Sequence, residues 1–199
     1  MMNQAEKVLP SWLLVTAEHA VVTLSRPSEA NGVTVDKMTL RSPTLRDERA
    51  ADRASQSDAE QRELMLFSGL TEIGLKDIEG LLLLDYHRLQ EGYSRLVPQL
   101  TDPTVLPAWL SVSADSVQVT LSCPSEISSV QVDTLNLRSP TVREVRAADR
   151  AANGNAEQRE LTLFAELTGA GIADLEGLRL VDYYRLQAGY FRLVHDDGI

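Results

Sequence analysis

The chain repeats itself at a spacing of 97 residues. Residues 9–97 aligned on residues 106–194 give 54 identities in 89 positions without a gap. Chance cannot give such agreement. A period near 90 residues is also too long for solenoid repeats, which run to about 20–50 residues. It suits a small domain that buries a modest core. The sequence therefore predicts two tandem copies of one domain.

The repeat also predicts the domain boundaries. We expect the first copy at residues 1–97, a linker at 98–107 and the second copy at 108–199. The linker contains three prolines, which cannot continue a helix. Because proline-rich linkers are fairly stiff, we expect the two copies to keep a preferred spacing.

Charge and composition narrow the class of partner. The net charge is −10, which disfavours nucleic acid and anionic membrane surfaces, since both require a basic footprint. The longest apolar run, residues 81–84, is far shorter than a membrane span, and the first ten residues lack an apolar signal segment. Cys123 is the single cysteine, so no internal disulfide can form. We expect a cytoplasmic protein.

Each repeat begins with apolar residues at every second position, the pattern of strands with one buried face. In the second repeat these residues are Leu110, Val112, Val117, Val119 and Leu121. We expect Pro124 to end the second strand, and a third strand over 130–137 with a bulge between Val132 and Leu135. The pattern predicts a three-stranded antiparallel β-meander.

The remainder of each repeat has helical features. Side chains that can satisfy the free N–H groups of a first helical turn recur before apolar residues spaced for one buried stripe. The predicted N-caps are Thr44, Thr141, Asp58, Asn155 and Asp85. A short helix is expected at 77–81. Each unit is therefore predicted to be an α+β domain, a meander followed by three to four short helices.

The sequence shows no pattern typical of a catalytic or metal site. The histidines His19, His87 and His195 are scattered, and Cys123 has no histidine at a recognisable spacing. Zinc clusters and Cys–His nucleophiles need several such groups to converge. No glycine-rich phosphate loop occurs. We expect a protein without enzymatic activity, metal or cofactor.

Two groups of residues kept in both repeats are candidates for partner binding. They are Arg41, Arg138, Tyr86, Tyr183, Tyr93 and Tyr190. Aromatic side chains and arginine are enriched at interfaces. The alternative for the arginines, which precede a Ser-Pro-Thr turn, is an ion pair that ties this turn to a nearby carboxylate. The alternative for the tyrosines, which have helical spacing, is packing in the core.

Five motifs follow one another in each repeat. In the first they are Leu-Ser-Arg-Pro in 23–27, Leu-Arg-Ser-Pro-Thr-Leu-Arg-Asp at 40–47, an acidic helix at 60–70, Asp-Ile-Glu-Gly-Leu at 77–81 and Asp-Tyr with Leu-Gln in 85–90. In the second they occupy 120–124, 137–144, a Leu-Thr-Gly step at 167–169, 174–178 and 182–187. Their order resembles that of the tail assembly chaperones of Mu-like prophages and related contractile-tailed phages. Two features differ: that family usually has a single copy, and Thr71-Glu72 replaces its Thr-Gly step.

The resemblance implies a helper protein in the host cytoplasm that is absent from the finished virion. Such a chaperone coats the long helical tape measure protein and keeps it soluble while the tail tube assembles. We expect the helical half of each unit to supply the binding groove, and we keep self-association open. Two other hypotheses remain: a structural tail or baseplate component, and a regulatory protein-interaction adaptor.

Overall fold

The computed structural model describes residues 9–56, 58–98 and 106–195. The chain forms two compact units, each of which is described by itself. The first unit comprises Met1–Pro43 and Asp47–Gln99, and the second comprises Thr44–Arg46 and Leu100–Ile199. Most of the predicted linker, including Pro103, lies outside the described residues.

Both repeats have the predicted order of three strands and four helices. The elements of the first repeat are β1 (Leu13–Val15), β2 (His19–Ala30), β3 (Val33–Arg41), α1 (Leu45–Ser55), α2 (Ala59–Thr71), α3 (Leu75–Glu79) and α4 (Leu83–Leu96). Those of the second are β4 (Leu110–Val112), β5 (Ser116–Ile127), β6 (Val130–Arg138), α5 (Val142–Ala152), α6 (Ala156–Thr168), α7 (Ile172–Gly177) and α8 (Leu180–Val194). The sheets are antiparallel with strand orders β1-β2-β3 and β4-β5-β6. The predicted α+β class is confirmed.

The sequence predicted that Pro124 ends the second strand, and this was wrong. Strand β5 continues past it, and the pairing register with β6 shifts between Thr120 and Ser125. The extra residues are on β5, so the bulge that we expected in the third strand lies in its partner. Proline has no N–H for the ladder and is confined to such irregular places in sheets.

At the bulge, a backbone N–H donates a hydrogen bond to a buried carboxylate instead of to the neighbouring strand. In the first unit Ser25 donates its backbone N–H to Asp85 Oδ1 at 2.6 Å and its hydroxyl to Oδ2 at 2.8 Å. Asp85 was expected to cap the last helix, and this was wrong. Helix α4 begins at Leu83 with Leu82 as the N-cap, so Asp85 lies inside the first turn and joins the helix to the bulge.

An arginine and a tryptophan complete this cluster. The Arg88 guanidinium lies 5.1 Å from the centre of the Trp12 ring, and its Nη1 donates to the Thr23 carbonyl at 2.8 Å. It also lies 3.5 Å from Asp85 Oδ1. The guanidinium therefore lies beside the buried carboxylate, and its contact with the Trp12 ring helps to hold the start of β1 against α4.

The second unit repeats the cluster with nearly the same distances. Ser122 donates to Asp182 from its N–H at 2.6 Å and from its hydroxyl at 2.7 Å. Arg185 donates to the Thr120 carbonyl at 2.8 Å and lies 5.4 Å from the Trp109 ring centre. The Leu-Ser-x-Pro and Asp-Tyr motifs thus form one structural unit in each repeat.

The core of the first unit lies between one face of the sheet and helices α2 to α4, with Ala51 of α1 also buried in it. Helix α4 lies very close to β2 at Gly92. A Cβ atom added to this glycine would be only 3.2 Å from Val22 Cγ2. The equivalent distance from Gly189 to Val117 Cγ2 is 3.1 Å. Both repeats therefore keep glycine where helix and sheet are in contact.

The helix starts agree with most of the predicted caps. Thr141 and Glu144 form a reciprocal capping box at α5. Asp58 accepts from the Gln61 N–H at 3.0 Å, and Asn155 accepts from Gln158 at 2.9 Å. The short helix α3 begins two residues earlier than expected.

Candidate functional site

The two candidate arginines hold the strand end to the following helix. Arg41 makes two bonds to the Asp47 carboxylate, at 2.6 and 2.7 Å, and the hydrogen bond to Asp47 raises the pKa of Arg41. Arg138 lies 2.7 Å from Glu144 and 3.3 Å from Glu166. Both arginines therefore form the local ion pair that the sequence analysis gave as the alternative to partner binding. Partner binding by these arginines stays a prediction.

Replacing Arg138 should change the titration of Glu144. The Arg138 guanidinium and two hydrogen bonds from Thr141 lower the pKa of Glu144 to about 2. Because this is below the ordinary value, the contribution of Glu144 to stability is present above about pH 4.5 and lost as the pH falls toward 2. In Arg138→Ala, an NMR titration should find this pKa shifted toward its ordinary value. Arg143→Ala, an exposed neighbour, should leave it low. An unchanged pKa in Arg138→Ala would contradict the ion pair.

The four candidate tyrosines pack in pairs around a buried phenylalanine. Tyr86 and Tyr93 lie 5.6 and 5.7 Å from the Phe67 ring centre. In the second unit Tyr183 and Tyr190 lie 5.8 and 5.4 Å from Phe164. Tilted rings at such distances are favourable aromatic contacts. The tyrosines therefore contribute to the core, and any role at an interface stays a prediction.

A glutamate on α2 joins that helix to α4. Glu63 Oε1 accepts the Tyr86 hydroxyl at 2.6 Å and the Gln90 amide at 2.7 Å. In the second unit Glu160 accepts from Tyr183 and Gln187, both at 2.6 Å. Burial and the hydrogen bond to Glu63 raise the pKa of Tyr86, so the phenol stays protonated and remains a donor.

This carboxylate lies in the wall of an open groove between α2, α3 and α4 of the first unit. The groove has a volume of about 660 Å³. It is lined by Ala59, Glu60, Glu63, Leu64, Ile78, Glu79, Leu81, Leu83, Tyr86 and Gln90. Ile78 is buried at its base, Leu83 is 68% exposed, and Glu60 and Glu79 are exposed. An apolar groove with acidic edges suits apolar side chains that are accompanied by a positive charge.

The groove residues are retained between the repeats better than the rest of the domain. Nine of the ten lining positions have the same residue 97 positions later, and the tenth changes Ile78 to Leu175. Over the whole repeat 54 of 89 positions agree. The sequence predicted a groove in the helical half of each unit but did not indicate most of these residues, because they come from three separate helices. Of the six candidates chosen by residue type, only Tyr86 lines the groove.

Two findings for the described residues concern metal sites and membrane helices. Within residues 9–56, 58–98 and 106–195, no group of three or more His, Cys, Asp or Glu side chains could hold a metal ion. Among the same residues, no helix is long and apolar enough to cross a membrane.

The fold defines a class of protein built from two tandem α+β domains, and the residues that line the groove of the first domain recur in the second with one Ile-to-Leu change. The chain belongs to the family described as "Phage tail assembly chaperone proteins, E, or 41 or 14", whose model matches residues 21–98 and again residues 118–195. The predicted resemblance and duplication are confirmed. No curated protein and no solved structure gives a significant match.

Proposed function

We propose that this chain is a phage tail assembly chaperone that binds the tape measure protein and keeps it soluble until the tail tube encloses it. The observation that carries the proposal is the match of the chaperone family to both repeats. Binding to the tape measure protein is our inference from that family role. We further propose that the chain acts without catalysis, in the host cytoplasm, and is absent from the virion.

The chemistry of the groove supports this proposal. A tape measure protein exposes apolar helical stripes before the tube covers them, and amphipathic helices bind in apolar grooves. Leu83 extends the apolar surface at the groove of the first unit, since it is 68% exposed. The glutamates at the edges of the groove favour binding of helical segments in which lysine or arginine lies beside the apolar stripe.

The duplication gives the chaperone two related domains in one chain. Once one domain has bound a long cargo, the other meets the same cargo at a raised effective concentration. Such linkage can increase the overall affinity by roughly 10²–10⁴. A duplicated chain would therefore hold a long helical cargo more tightly than a single-copy relative with the same groove.

Co-expression with the tape measure protein of the same phage tests the proposal. The soluble fraction of the tape measure protein should rise, and the two proteins should co-purify. Leu83→Asp should weaken this effect. Leu14→Asp makes the same substitution at a 60% exposed leucine of strand β1 and should not. If the wild-type chain neither co-purifies nor raises solubility, the proposed function is wrong.

Purified virions distinguish this role from that of a structural tail component. Mass spectrometry should not detect the chain in finished particles if it is a chaperone. Its presence in stoichiometric amounts would instead favour the baseplate or tail hypothesis.

A further inference from the structure

The tripeptide Ala-Asn-Gly occurs once in each repeat, but at different places. It occupies residues 30–32, at the turn between β2 and β3, and residues 152–154, after α5. Asparagine is a thermolabile residue. It loses ammonia most readily when glycine follows, because glycine has no side chain to shield its backbone nitrogen. The chain therefore contains two sites of similar intrinsic reactivity for this reaction.

The two asparagines also have nearly the same backbone conformation and exposure. Asn31 has a φ of 51° and Asn153 a φ of 49°, in the left-handed region that asparagine tolerates better than most residues. Both residues are exposed. Apart from chain neighbours, no described heavy atom lies within 4 Å of a Cβ built on Gly32 or on Gly154. Access to solvent therefore does not distinguish the two sites.

Hydrogen bonds hold the side chain of Asn31. Its Nδ2 donates to the Glu72 carbonyl at 2.8 Å, and its Oδ1 accepts the Gly74 N–H at 2.9 Å. Both ends of the amide are thus bound to the segment between α2 and α3. The backbone N–H of Asn31 also donates to Asp77 Oδ2 at 2.7 Å. The amide can be attacked only after the two side-chain bonds have been broken.

The side chain of Asn153 is not held in this way. Within the residues that the structure describes, its amide makes no hydrogen bond. The turn is closed by a bond from the Asn155 N–H to the Ala152 carbonyl at 3.0 Å, and the Asn155 side chain caps α6. Neither bond uses an atom of Asn153 or Gly154. Rotation of the Asn153 amide toward the Gly154 nitrogen therefore breaks no side-chain contact.

We propose that Asn153 is a site of spontaneous deamidation in the folded protein, whereas Asn31 is protected. The Gly154 nitrogen attacks Cγ of Asn153, and the Cγ–Nδ2 bond breaks. The proton of the glycine nitrogen passes to the departing amide nitrogen, so ammonia leaves and a five-membered imide remains. Water then adds to either carbonyl of the imide and opens the ring, which gives aspartate or isoaspartate.

The hydrogen bonds of Asn31 set the expected difference in rate. Closing the ring requires rotation of the side chain and of ψ, which is 39° at Asn153. Both sites share this requirement, but only Asn31 must also give up two hydrogen bonds. Breaking two such bonds before attack slows a reaction by about 5- to 150-fold. We therefore expect Asn153 to react at least about five times faster than Asn31.

The modification changes the joint between α5 and α6. Asn153 is the C-cap of α5, so the new carboxylate lies at the negative end of the helix dipole, where an anion is unfavourable. The isoaspartate product also adds a methylene group to the backbone at this turn. None of these effects depends on binding of the tape measure protein.

Peptide mapping by mass spectrometry of the full chain, incubated in mildly alkaline buffer, tests the proposal. The peptide that contains Asn153 should change from amide to acid at least about five times faster than the peptide that contains Asn31. Isoaspartate at residue 153 identifies the imide route. In urea the hydrogen bonds of Asn31 are lost, so the two rates should become nearly equal.

Asn153→Gln is the matched variant. The counterpart of Asn153 in the first repeat is Gln56, with a φ of 51°, so glutamine suits this backbone. A glutamine amide would have to close a larger ring, and the variant should therefore lack the early acidic species in ion-exchange chromatography. Circular dichroism checks that it is folded.

Three results would overturn the proposal. They are equal rates at the two sites in the folded chain, faster conversion of Asn31 than of Asn153, and an early acidic species that persists in Asn153→Gln. Conversion at both sites only in urea would also overturn it, because Asn153 would then be protected by the fold. The co-expression result would stand in each case.

Discussion

Phe164→Ala should lower the free energy of unfolding by about 3–5 kcal/mol, as removal of a buried phenylalanine generally does. Phe164 is 0% exposed, and its ring lies between those of Tyr183 and Tyr190 at 5.8 and 5.4 Å. The substitution therefore leaves a cavity and removes two aromatic contacts. It tests whether these tyrosines, chosen from the sequence as interface candidates, form part of the core.

Chemical denaturation of the full chain, fitted with separate transitions for the two units where they are resolved, measures this loss. Phe191→Ala is the matched control, because Phe191 is 49% exposed on the same helix, α8. We expect it to change stability by about 0.5 kcal/mol or less. A loss below about 1 kcal/mol for Phe164→Ala would contradict the described core.

Asp182→Ala should cost about 3–5 kcal/mol, the range for removing one partner of a buried charged pair. Asp182 is 1% exposed. It accepts two bonds from Ser122, and its Oδ1 lies 3.3 Å from Arg185. Without the carboxylate, the backbone N–H at the bulge loses its partner, and the guanidinium keeps its charge without the counterion.

Asp133→Ala provides the matched control for this experiment. Asp133 is exposed on β6, and it is also an aspartate in both repeats. Urea denaturation should find its loss within about 0.5 kcal/mol of zero. Equal effects of the two substitutions would show that the Asp182 cluster does not stabilise the second unit.

The repeat predicted most of the fold, because it gave every pattern twice. The strand alternation, the order of elements and the caps at Asp58, Thr141 and Asn155 were predictable from local rules that act within a few residues. The role of Asp85 was not predictable. An aspartate near a helix start resembles a cap in sequence, and its true partner, Ser25, lies 60 residues earlier.

The strand that carries the bulge and the residues that line the groove were not predicted, for the same reason. Proline interrupts the regular hydrogen bonding of a sheet. That β5 continues beyond Pro124 can be recognised only from its pairing with β6 on both sides of the bulge. The groove is assembled from three helices, and its residues are ordinary leucines and glutamates. A signal was present: the ten lining positions differ by a single Ile-to-Leu change between the repeats. It becomes recognisable only when the positions are known to be adjacent.

Hydrogen–deuterium exchange with and without a tape measure fragment tests the central claim most directly. If the helical half binds this cargo, amides of α2 and of residues 78–90 in the first unit should become protected, while strands β2 and β3 exchange as before. Protection confined to the sheet, or no protection while the fragment is bound, would contradict the account.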